Sequence, residues 1–278
     1  MIEKISGPDY HRAITDLRHF FLNQGFIEVQ TQANLSILAA CEDPTTVATF
    51  NYAGQVWPLP QTGQMKLEEY LLRDKLEKVF CISTSYRQEP DPIPGRHSLI
   101  FPMFEFESLG NMEDLIHLLK KLLAHLNFKE QTIQTLSYEE IAKLFAIKTI
   151  GAKEEERINL EISSVVLLTD FPEHTSPFWN MKRNRITDTA NKVDTILYGV
   201  ETIGSAEREV DTQVMEERFH SISDGLYADL LYSHFGKHRV LKELHEFLSL
   251  EMVPRFGGGC GITRFIRAMK QNEINLSN

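Results

Sequence analysis

A chain of 278 residues with 42% hydrophobic and 24% charged side chains can bury one large core or two modest domains. Its formal net charge of −10 argues against a general nucleic-acid binder, which carries a basic excess. No apolar run reaches the roughly 20 residues that cross a bilayer, and Cys41, Cys81 and Cys260 are too scattered for a disulfide framework or zinc knuckle.

In chain order, residues 9–24 have the periodicity of an amphipathic helix, with Ile14, Leu17, Phe20 and Phe21 on one side and Gly25 as its stop. A strand is expected at Phe26–Val29, and two short ones at Val47–Phe50 and Val56–Leu59 around a Gly54 turn. The pattern predicts a helix over Lys66–Lys78 and a buried strand at Val79–Ile82. Pro90, Pro92, Pro94 and Gly95 make 90–96 a loop, and Ile100–Glu107 alternates as a returning strand. Leucines through 112–127 give a helix capped by Asn111, and Ser137 with Glu140 has capping-box spacing. The charged stretch Lys153–Arg157 is expected to be a surface excursion or lid. Val165–Leu168 is a buried strand, Asp194–Val200 a strand ending near Glu201, and 213–250 mostly helical. Residues 259–269 form a strand-to-helix junction. This gives one domain, 1–278, with a small helical insertion at about 130–160. The clusters Lys182, Arg183, Arg185 and Lys237, His238, Arg239 are expected to be solvated faces rather than RNA contacts. The N-terminus has neither the basic start nor the apolar stretch of a signal peptide, so a cytoplasmic location is expected.

Two arginine-centred segments carry the chemistry. The first is Tyr86-Arg87-Gln88-Glu89, followed by Arg96-His97 and Phe101; the second is Gly257-Gly258-Gly259-Cys260-Gly261-Ile262-Thr263-Arg264. Arginine offers a planar fork of donors that grips phosphate bidentately, and glycine lets a backbone approach a ligand closely. No P-loop and no dinucleotide-binding glycine motif occurs, so ATP binding here needs another kind of scaffold.

Together these strings resemble the catalytic core of class II aminoacyl-tRNA synthetases, in the subgroup for aspartate, asparagine and lysine. The likeness is nearest to the asparaginyl and aspartyl enzymes and runs from about residue 9 to residue 270. Residues 86–101 resemble the family's second motif and 257–264 its third. Thr62–Tyr70, Thr169–Pro172 and Glu201–Glu209 match further family strings. The resemblance implies an α+β fold, a mostly antiparallel sheet flanked by helices. It also implies a cytoplasmic homodimer that binds an amino acid, ATP and magnesium.

Carried over residue by residue, the resemblance makes Arg87 the holder of the ATP α-phosphate and the substrate carboxylate, with Glu89 also at the nucleotide. His97 and Arg264 would hold the γ-phosphate end, and Phe101 would stack on adenine with Arg264 covering its other face. Asp194 and Glu201 would coordinate magnesium through hard carboxylate oxygens. Glu42 would hold the α-ammonium, and Gln64, Glu68 and Arg208 would line the side-chain pocket. Arg87 and Arg264 are thus the catalytic pair, stabilising charge as it builds on phosphorus.

Departures from the family pattern narrow the expected function. The resemblance begins at the catalytic core, so a free-standing paralogue without the anticodon-binding domain is expected, and tRNA is left open as a partner. Gln32 replaces the first motif's proline, Ile100 a glutamate, Thr263 an acid, and Ala206 a serine near the metal. Glu68 in the pocket would repel aspartate while Arg208 would welcome an acceptor, a combination that suggests asparagine-like recognition. Three functions stand open: a ligase forming an aminoacyl-adenylate, an ammonia-dependent asparagine synthetase, and a degenerate amino-acid-binding or regulatory paralogue.

Overall fold

The computed structural model describes residues 4–31, 44–93 and 98–277. The N-terminal helix α1 spans Gly7–Asn23 and stops at Gly25, whose φ of +82° suits a residue without Cβ. The strand β1 (Ile27–Glu28) follows, then a hairpin of β2 (Thr49–Tyr52) and β3 (Gln55–Pro58). Helix α2 covers Gln64–Leu72, six residues shorter at its end than the periodicity predicts, because Lys78 already belongs to β4 (Lys78–Tyr86). Strand β5 (Ile100–Leu109) returns antiparallel to β4 and leads into α3 (Met112–His125), started by a capping box between Asn111 and Asp114.

Residues 133–161 fold as β6 (Ile133–Ser137), α4 (Tyr138–Phe145) and α5 (Ala152–Glu161). The expected lid at Lys153–Arg157 is therefore a turn of α5, fastened by the fully buried Ile158. Next come β7 (Val165–Pro172), β8 (Arg183–Asn184), β9 (Thr189–Leu197) and β10 (Val200–Glu207). The expected single strand from Asp194 to Glu201 is in fact a tight hairpin, turned at Tyr198-Gly199. Asp194 and Glu201 therefore lie on adjacent antiparallel strands. Three helices, α6 (Thr212–Ser221), α7 (Leu226–Phe235) and α8 (Lys237–Leu248), precede β11 (Arg255–Gly261) and the last helix, α9 (Ile262–Ser277).

The large sheet runs β1-β4-β5-β11-β10-β9-β7-β6, with β8 added on β9. Only the two ends, β1 on β4 and β6 on β7, pair parallel; the interior is antiparallel. One face packs on α1, α3 and α9 around Phe21, whose ring lies 4.8–6.1 Å from those of Phe26, Phe80, Phe104 and Phe106. Along β5, Phe104 and Phe106 enter this core while Phe101, Met103, Glu105 and Glu107 turn to the opposite face. That second face is covered at one end by α4 and α5, and at the other by α6–α8 packed on Trp179, Met181 and Met65. Val165–Leu168 reads as an unbroken apolar run because both faces of β7 are buried there, Val165 and Leu167 on one and Val166 and Leu168 on the other.

Between the two covered ends, the open stretch of sheet is floored by the glycines of β11. A Cβ on Gly258 would stand 2.6 Å from Ser205 Cβ and 2.8 Å from the Gly204 carbonyl oxygen, which as backbone cannot move aside. Gly258→Ala is expected to destabilise the protein by about 1–3 kcal/mol in urea unfolding, as overpacked cores do. Gly7→Ala, with nothing within 4 Å of the new Cβ, should shift stability by less than about 0.5 kcal/mol.

Candidate active site

The open sheet face holds a cavity of about 570 Å³. Arg87, Glu89, Phe101, Glu201 and Arg264 line one part of it, and Gln64, Glu107 and Arg208 another. Sequence-distant segments thus meet in one chamber. Glu42 and His97 lie outside the described residues, as do Gln32 and Arg96.

Backbone pairing fixes the first arginine segment. Successive N–H groups of Tyr86, Arg87 and Gln88 donate to the carbonyls of Pro60, Leu99 and Thr46, each at 2.8 Å. The chain leaving β4 is thereby held, and Arg87 projects over Phe101, its guanidinium carbon 5.7 Å from the ring centroid. Arg264 sits in the first turn of α9. Its Nη1 donates to the Glu201 carbonyl at 2.8 Å and lies 3.7 Å from that residue's Oε2. The Glu201 N–H in turn donates to Glu155 of α5 at 2.7 Å, so the start of β10 is gripped from both sides. Gly261 neighbours Phe101: a Cβ there would come 3.8 Å from the ring, an ordinary contact, so main chain and aromatic ring adjoin at this part of the chamber.

The amino-acid end departs from the sequence expectation. Glu68 does not face the cavity. It is fully buried, with Oε2 taking bonds of 2.9 and 2.7 Å from Nε and Nη2 of Arg255 and Oε1 accepting from Gln64 and Asn180 at 2.8 Å. Burial pushes its pKa up, but Arg255 and Arg208 outweigh that and hold the carboxyl below the usual range. Its charge is spent inside the protein. Glu107 does line this end of the pocket, where it receives Nε of Arg208 at 3.1 Å and a second, shorter bond from Nη2. Burial raises the Glu107 carboxyl to about 7 against the pull of Arg208. Glu105 is buried beside it, raised by burial although Ser83 and Thr62 donate to it and the Gly63 N–H does so at 2.9 Å.

Glu105, Glu107, Arg255 and Lys192 were not among the sequence candidates. The alternation of β5 carried a usable signal for the two glutamates, since Phe104 and Phe106 claim the core and leave the intervening acids on the other face. Arg255, buried among α2 and β10, had no such signal. Arg183, expected on a solvated face, is buried with a bidentate bond to Glu173 at 2.8 and 2.9 Å. Ala206, paired across the strands with Lys192, packs with the α6–α8 cluster. Gly204 lies against the two acids, since a Cβ on it would be 3.1 Å from Glu201 Oε1 and 3.6 Å from Asp194 Oδ1.

These residues fit ATP: two guanidiniums, an aromatic platform and a glycine-lined floor share one chamber. They fit magnesium less evenly. Glu201 opens toward the cavity, whereas Asp194 already has the Lys192 ammonium 3.2 Å from its Oδ2. Among the described residues, no three metal-ligating side chains converge.

Solved structures of similar fold include class II synthetases. The asparaginyl-tRNA synthetase of Pyrococcus horikoshii, complexed with asparaginyl-adenylate, superposes with a TM-score of 0.77 at 20% identity, over 94% of this chain and 64% of that one. The aspartyl-tRNA synthetase of Entamoeba histolytica gives 0.71 at 19%, over 94% and 54%. The family described as tRNA synthetases class II (D, K and N) matches residues 10–275, and the chain belongs to it. Among curated relatives, the cytoplasmic aspartate–tRNA ligase of Rattus norvegicus is 25% identical over 89% of this chain and 54% of its own length. The asparagine–tRNA ligase of Desulforamulus reducens is 25% identical over 90% and 62%. The chain spans about half the length of the curated relatives it matches.

The Glu68–Arg255 pair yields a direct expectation. Arg255→Met should cost about 3–5 kcal/mol in denaturant unfolding, because Glu68 keeps a buried charge without its guanidinium. The double variant Glu68→Gln with Arg255→Met should recover most of that loss.

Proposed function

We propose that this chain activates an amino acid, asparagine or aspartate, with ATP to an aminoacyl-adenylate and pyrophosphate. One observation carries the reading: Arg87, Phe101 and Arg264 share a continuous cavity with the Arg208–Glu107 pair over a glycine floor. Family membership supports it, and the complexed asparaginyl-adenylate of the Pyrococcus horikoshii neighbour is of the same chemical kind.

In the reaction, a carboxylate oxygen of the amino acid attacks the α-phosphorus and the bond to the β-phosphate oxygen breaks. Its electron pair leaves with pyrophosphate. The chain supplies little covalent chemistry; it aligns two anions that repel and neutralises charge as it spreads over the phosphoryl oxygens. Arg87 is the residue for that task, being fixed by the backbone clips beside it and always charged. Phe101 holds the purine, and Arg264 faces the far phosphates. Magnesium, when bound, offsets phosphate charge, and Glu201 would hold it. Glu105, buried on the cavity wall, offers its carboxyl as a partner for the α-ammonium. Arg208 donates to an oxygen on the substrate side chain. We further propose that the chain works as a homodimer and passes the activated acyl group to an acceptor, with tRNA as one candidate.

Amino-acid-dependent exchange of labelled pyrophosphate into ATP tests the reading. Asparagine or aspartate should support exchange, and Arg87→Ala should lower its rate by about 10²–10³. Absence of exchange with all standard amino acids would sink the proposal.

The pH dependence should separate the two substrates. Glu107 gains a proton as pH falls through about 7, so Arg208 loses a competing negative partner and becomes a better donor to an anionic side chain. The apparent affinity for aspartate should therefore rise from about pH 8 to about pH 6, while asparagine stays level. In Glu107→Gln the aspartate profile should flatten.

A further inference from the structure

The adenylate reading expects two acidic residues, Asp194 and Glu201, to share a divalent cation. Their carboxylates do share one face of the β9–β10 hairpin, above the bare Cα of Gly204. A third side chain enters that face. Lys192, two residues before Asp194 on β9, brings its Nζ to 3.2 Å from Asp194 Oδ2 and 4.4 Å from the ring centroid of Phe171 on β7. The two side chains are only 11% and 10% exposed, and Lys192 lines the cavity with Arg87, Glu201 and Arg264.

We propose that the Lys192 ammonium is the cation of Asp194, a built-in positive charge at the place where a metal-binding hairpin would hold a second ligand for a divalent ion. The inference rests on the adenylate reading for its purpose, though not for its test. Its physical basis is local. A desolvated ammonium is held from one side by a carboxylate and from the other by the negative face of an aromatic ring. A divalent ion entering between Asp194 and Glu201 would meet this charge at close range and would have to displace it. Asp194 is then no metal ligand. Its negative charge serves to position Lys192, whose ammonium faces the cavity and balances phosphate charge without exchanging with solvent ions. Of the two, Glu201, at the more open end of the face, is left as an acidic contact for an ion carried in by the nucleotide. Lysine acts as a point charge rather than a fork, so it neutralises without dictating the orientation of a phosphate.

Manganese binding to the full chain, without nucleotide, tests this by the loss of the free-ion electron paramagnetic resonance signal. Wild-type protein should hold no Mn²⁺ that depends on Asp194, and Asp194→Asn should leave its binding curve unchanged. Lys192→Ala should gain one site of roughly millimolar affinity, as two carboxylates without a lysine would offer. The double variant Lys192→Ala with Asp194→Asn should lose it again. Lys192→Met, which keeps the stem against Phe171, repeats the test where alanine impairs folding. Equal Mn²⁺ stoichiometry in wild type and both Lys192 variants would overturn the inference, and so would a tenfold loss of affinity in Asp194→Asn alone. Pyrophosphate exchange is read separately. Its absence in wild type would remove the ligase reading while the lysine-for-metal assignment stood or fell on the resonance data.

Discussion

The fold turns on a run of buried charges that crosses the open face of the sheet. Arg255 from β11 grips Glu68 from α2, Glu68 stands near Arg208 at the end of β10, and Arg208 is held by Glu107 of β5. Three strands and a helix that are distant in sequence are tied together through these four side chains. A buried ion pair is an uncertain source of net stability, because desolvation offsets the attraction. Its effect is orientational. Each guanidinium has a planar set of donors, so the carboxylates fix its direction as well as its place. Arg208 arrives at the cavity wall already aimed, and so a substrate need not spend binding free energy ordering it.

The same run explains how one chamber can face two unlike ligand parts. At one end, arginines at the rim meet a glycine floor and an aromatic ring, which suits a planar base followed by a string of negative charges. At the other end, acids and arginine alternate in nearly dry surroundings, where a single proton on Glu107 alters the local charge. Both ends rest on β5 and β11, whose register sets their separation. Changes in either strand's pairing would shift both halves together.

Much of this was legible in the sequence, and the reason lies in which features are local. The helix around Phe20 and Phe21, the cap at Asn111, the capping box at Ser137, and the glycines before Arg264 are patterns within a dozen residues. The hairpin at Tyr198-Gly199 was missed because Asp194–Glu201 alternates poorly and its turn carries a non-glycine residue at positive φ. The role of Glu68 was misread for another reason. Whether an acid faces a ligand or a partner depends on what the rest of the chain brings to it. Arg255, 187 residues away, was the partner. Lys192 was invisible for the same reason: its meaning comes from Phe171 and Asp194 together, across two strands.

The glycine floor has one further consequence. Between Gly257 and Gly261 the surface under the ligand is main chain, and a side chain added on Gly257 or Gly259 would collide with Glu107 or Met103. A surface of peptide groups has no side chain to exchange, so it offers natural variation almost nothing to work on. Whatever sets the choice of ligand in this chamber must therefore be written in the walls, on α2, β5, β10 and the segments beside Arg87. The floor constrains where a new specificity can arise.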